Sequence, residues 1–162
     1  PAAMSSTSRY APAWRALFRI LQEETVWPDG FDPRLGVLFA GYDPNRPAPL
    51  EVVVVLGEAE EDQDWATTGQ RARDDRLQTS LYVETAIPNR TAMQALDRLE
   101  SFTVTIENKL RDSVIPANRP VELVDTFLWW EVVRVLPDVA PLKGGGGYGG
   151  RATVVVGLKS RI

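Results

Sequence analysis

Five carboxylates crowd into seven residues at Glu58, Glu60, Glu61, Asp62 and Asp64, and three guanidiniums follow at Arg71, Arg73 and Arg76, with Trp65 between the two runs. Clustered carboxylates can carry out acid–base chemistry or hold a divalent cation. This run lacks the Asp-x-Asp-x-Asp-Gly spacing and terminal Glu of a calcium loop, so it reads as a solvated or partner-facing acidic loop. Arginine forks pair bidentately with carboxylates. Two arrangements would use that pairing: a hairpin balancing its own charge, or acid from one subunit meeting arginine from the next around a ring. The second is a heterologous contact that closes if the rotation closes. Trp65 stands in a very polar segment, and tryptophan is enriched at interface hot spots. Either the loop folds back and buries it, or a partner covers it.

Nucleophilic chemistry finds little to work with. The chain has no histidine and no cysteine, so the usual base for a serine or threonine nucleophile and every thiolate site are missing. A Ser–Lys pair would remain, but none of Lys109, Lys143 and Lys159 follows a serine at Ser-x-x-Lys spacing. The stretch from Lys143 through four glycines, Tyr148 and two more glycines resembles a phosphate loop only superficially. Its lysine precedes the glycines and no Gly-Lys-Ser/Thr closes it. It reads as a flexible, tyrosine-bearing loop over 144–150 whose bare backbone would fit closely against another chain. The chain is therefore expected to be no enzyme and to need no cofactor or metal.

The net charge of -4 shows no basic stripe of the kind that marks a nucleic-acid interface. No segment approaches the ~20 apolar residues that span a bilayer, and the first ten residues have no apolar core of a signal peptide. A start at Pro1 fits removal of an initiator methionine and predicts a soluble protein made in the cytoplasm.

The elements that must position these residues follow from periodicity. Residues 1–10 read as a loose tail. Trp14, Leu17, Phe18 and Leu21 form one apolar stripe of a helix over 12–24. Short strands fit 36–42 and 51–56, the latter carrying Val52, Val53, Val54 and Val55 as a run buried on both faces. Between them, Pro44, Pro47 and Pro49 stiffen a loop. Residues 57–75 read as a long polar arm. Leu77, Thr79, Leu81, Val83, Thr85 and Ile87 alternate along a strand with one face on the core. A long helix over 90–112, with Asn89 as N-cap, would bury Ala92, Leu96, Leu99, Thr103, Ile106 and Leu110, with a possible break at the β-branched residues of 102–106. Strands over 121–136 and 151–162 close the chain. Trp129 and Trp130, being adjacent, point to opposite faces of the first. The order α-β-β-β-α-β-β predicts a single α+β domain: a mainly antiparallel sheet with one long helix and an N-terminal helix packed on it.

That layout resembles the tail terminator proteins of long-tailed bacteriophages. The stretches that carry the resemblance are PLEVVVVLGEAEEDQDWATTGQRARDDRLQTSLYVETAIPNRTAMQALDRLESF and the closing GGYGGRATVVVGLKSRI. The resemblance implies a virion protein that forms a hexameric ring, caps the tail tube, stops its polymerisation and meets the head connector at the neck. Its partners would be itself, the tube protein and the connector, with DNA passing through a lumen where carboxylates repel phosphate. The arm over 57–75 and Tyr148 would supply subunit or tube contacts. Three other readings stay open: another neck, head-completion or tube ring protein; a small monomeric adaptor that recognises peptides at its strand edges; and a carboxylate-dependent hydrolase using a metal at the acidic run.

Overall fold

The structure, a computed structural model, describes residues 10–39, 45, 47, 49–65, 73–113 and 129–161; over 10–13, 24, 56–65, 73–77, 112–113, 129–130 and 158–161 it describes the backbone. Residues 1–9, Arg71 and the first part of the strand expected over 121–136 lie outside the described residues.

The chain opens with helix α1, Tyr10–Arg19, which widens into a π-helical turn at Ile20–Glu24. Ala16, Leu17, Ile20 and Leu21 are fully buried, and Trp14 and Phe18 pack at the edge of the same core. Two side chains cap carbonyls at this helix end: Thr25 Oγ1 donates to Ile20 O at 2.7 Å and Trp27 Nε1 to Leu21 O at 2.8 Å. Trp14 also ties α1 to the sheet, its indole donating to Thr79 Oγ1 at 2.6 Å. A single helical turn, α2 (Pro33–Gly36), follows. Asp32 caps it by accepting from Arg34 N at 2.9 Å.

Five strands form one sheet: β1 (Val37–Phe39), β2 (Glu51–Trp65), β3 (Arg73–Thr85), β4 (Trp129–Pro141) and β5 (Tyr148–Arg161), in the order β1-β2-β3-β5-β4. Only β1 and β2 run parallel. The long helix α3, Ala92–Ser113, connects β3 to β4. The fold is thus the α+β arrangement that the element order predicts. Val53 and Val55 of β2, Leu81 and Val83 of β3, and Ala152, Val154 and Val156 of β5 join α1 and α3 in one core.

Four details differ from the periodic reading. The stripe of α3 is rotated, burying Ala95 and Phe102 while Leu96 is exposed. No break occurs at 102–106: the helix runs through it, with Thr103 and Thr105 donating their hydroxyls to the carbonyls of Glu100 and Ser101, at 3.0 and 2.8 Å. The cap is Thr91, not Asn89: Gln94 N donates to Thr91 Oγ1 and Thr91 N to Gln94 Oε1, a reciprocal capping box. Asn89 instead takes the left-handed turn position, with φ 66°. Finally, β4 continues through Pro137 to Pro141. A proline cannot donate to a neighbour, and both positions sit on the last strand of the sheet, where the missing N–H can turn to the free edge.

Candidate interaction surface

The acidic run lies on a strand, not in a loop. β2 continues through Glu58, Glu60, Glu61, Asp62 and Asp64 to Trp65, and β3 begins at Arg73. Residues 57–65 and 73–75 of the expected arm are therefore one long hairpin. Its register makes Asp62 the ladder partner of Arg76, Asp64 of Asp74 and Trp65 of Arg73, after an irregularity between Val55 and Ala59. The hairpin does not stand alone: β3 pairs onward with β5, Asp74 with Arg161 and Arg76 with Lys159. A polar sequence holds strand here because both edges of β3 supply ladder partners. β propensity reflects such context more than intrinsic backbone preference. The register thus sets one acid and one arginine of the same chain, Asp62 and Arg76, at facing positions of the ladder.

Tyr148 is far from this hairpin. It opens β5, whose other end pairs with Asp74. At about 3.3 Å per residue the 14-residue strand separates the two by about 40 Å. The residues singled out in the sequence therefore occupy opposite ends of the sheet and do not form one site.

The glycine-rich segment is a tight turn docked on its own chain. Gly144, Gly145, Gly146 and Gly147 all have positive φ. Leu142 N donates to Gly147 O, Asn89 N to Gly146 O and Tyr148 N to Arg90 O, at 2.9, 2.6 and 2.9 Å. A Cβ on Gly147 would stand 2.8 Å from Arg90 N and 2.9 Å from Arg90 O. The bare backbone does fit closely against another segment, as its composition suggested, but that segment is the β3–α3 corner of the same chain.

Behind this corner lies an ion cluster that sequence reasoning missed. Glu51, at the start of β2, has a side chain only 7% exposed. Arg98 of α3 grips it with a fork: Nε to Oε2 at 2.8 Å and Nη2 to Oε1 at 2.7 Å. Thr85 Oγ1 adds a third bond to Oε2 at 2.8 Å. Arg98 Nη2 also donates to Asp29 O, and its guanidinium lies 5.0 Å from the Phe102 ring centroid. Phe102 stacks edge-on with Phe31, which stacks on Trp27, so the 25–36 segment is held over α3. Burial pushes the Glu51 carboxyl upward, but the bonds from Arg98 and Thr85 and the charges of Arg98 and Arg90 outweigh it, leaving the group below its ordinary value. The bonds from Glu51 in turn raise Arg98. One signal was available: Glu51 is in phase with Val53 and Val55, so strand alternation already put a carboxylate on the core face.

No cluster of metal-ligating side chains occurs among the described residues, and no helix is long and apolar enough to cross a membrane among them. No protein-family model matches the chain, and no curated protein matches it.

Proposed function

We propose that this chain is a ring-forming structural protein of a bacteriophage virion, acting as a tail terminator that caps the tube and offers the head-joining surface. The observation that carries the reading is the β2–β3 hairpin. Its ladder continues past Val55 to Trp65 and Arg73, and the sequence concentrates the acids, Arg73, Arg76 and Trp65 in that half. A protein that works by surface complementarity needs such a charged, shaped extension and no catalytic group. The element order and the want of histidine and cysteine support the same reading. In this role the ring would contact tube protein on one side and connector on the other, and its carboxylates would let DNA slide without adhering.

The mass in solution tests it, measured by light scattering over a concentration series at two salt concentrations. The expected species is a hexamer of about 108 kDa, six copies of the 18.0 kDa chain. It should shorten tubes when added to polymerising tube protein. A monomer at every concentration that leaves tube length unchanged would refute the proposal. The rival reading, a monomeric adaptor binding peptides at a strand edge, draws on the outer edge of β4. Pro137, Pro141 and the bulge between Val132 and Arg134 obstruct pairing there, which favours the ring.

A further inference from the structure

Two arginines share one carboxylate at the β3–α3 corner, and only one of them is satisfied by it. The oxygens of Glu51 already accept three bonds, two from Arg98 and one from Thr85. Arg90 Nη1 stops 3.9 Å from Glu51 Oε2, beyond hydrogen-bond reach. That nitrogen is enclosed and finds no acceptor among the described residues. Glu51 thus bonds Arg98 and leaves Arg90 Nη1 without a hydrogen-bond acceptor among the described residues. Buried donors in native proteins are nearly always paired, and an exception calls for a missing partner.

Elsewhere the Arg90 side chain meets solvent, and there a partner has room. The Arg90 side chain is 24% exposed and lines an open cleft with Asn89, Gln94, Asp97, Arg98 and Ser101. Gln94 spends its Oε1 on the capping box, which leaves its side-chain NH2 as a donor on the same wall. Asp97, the one acid there, makes no ion pair with either arginine among the described residues. The backbone of Arg90 is fixed from outside, because Gly147 packs against its N and O and Tyr148 N bonds its carbonyl. A planar guanidinium on a clamped backbone suits a planar, two-oxygen acceptor.

We propose that this cleft binds a carboxylate, taken by the Arg90 guanidinium with the Gln94 side-chain amide as second donor. The inference is independent of the ring reading. The carboxylate could come from an acidic side chain of a second copy or from a small free acid, and the test separates them.

The full chain, isotopically labelled, is titrated with sodium acetate against sodium chloride of equal ionic strength. The side-chain NMR signals of Arg90 and Gln94 are followed. Acetate should give saturable shifts that chloride does not. Arg90→Gln should weaken binding at least tenfold, whereas Asp97→Asn, which removes a repelling charge, should tighten it at least twofold. A gain of that kind cannot arise from damage to the fold. Shifts identical in the two salts, or unaltered binding in both variants, would overturn the proposal. Saturating acetate that lowers the assembled mass while chloride does not assigns the carboxylate to a second copy. An unchanged mass assigns the cleft to a free acid.

Discussion

Replacing Glu51 with Gln tests how the β2 start is joined to α3. The variant keeps the volume and loses the charge. Arg98, whose side chain is 16% exposed, would then face an amide whose NH2 repels one arm of its fork. Arg90 would lose the carboxylate 3.9 Å from its Nη1. Removing one partner of a buried ion pair costs about 3–5 kcal/mol, and the partial exposure of Arg98 argues for the lower end, about 3 kcal/mol. For a chain of this length that lowers Tm by about 6–12 °C. The pH dependence separates the ion pair from packing. The folded Glu51 titrates below its ordinary value of 4.5, so its contribution is present above that pH and is lost as pH falls through the folded value. Thermal melts followed by circular dichroism, taken at neutral pH and in steps to below the carboxylate range, should show the two proteins converging in acid. A loss under about 1 kcal/mol at neutral pH, or a gap that persists unchanged in acid, would refute the reasoning. The double variant Glu51→Met with Arg98→Met should recover much of the loss, since an apolar pair leaves no orphaned charge.

Three further outcomes are expected. Gly147→Ala adds a Cβ 2.8 Å from the Arg90 backbone at positive φ, whereas Gly145→Ala meets nothing within 4 Å. Both incur the ~1–2 kcal/mol of a left-handed residue, but only the first should cost substantially more in urea unfolding. Thr91→Ala breaks the capping box and should cost about 1 kcal/mol, read by the same melts. Trp65→Ala should reduce the assembled mass in light scattering while leaving the circular dichroism spectrum unchanged. An unfolded variant would place Trp65 in the core.

Much of the fold was legible because it rests on local periodicity. The 3.6-residue stripe of α1 and the alternation of Leu81 and Val83 on β3 and of Ala152, Val154 and Val156 on β5 each name their buried face without reference to any other element. The site was less legible. The acids of β2 have no strand-like composition, and it is the ladder from β2 to β3 and from β3 to β5 that makes the segment extended. The glycine turn looked free because a bare backbone shows no preference for what it packs against. Only the approach of the β3–α3 corner decides that Gly147 must lack a side chain.

By itself, the sequence determined the class of fold, the buried face of most elements, and the absence of histidine and thiol chemistry, since these depend on residue type and spacing alone. Tertiary structure decided that the acidic run is strand, that Tyr148 stands about 40 Å from its far end, and that Glu51 joins Arg98 across 47 positions of chain. Charges so distant in sequence meet only after the sheet and α3 have packed. No local pattern encodes which arginine arrives at the carboxylate and which is left over.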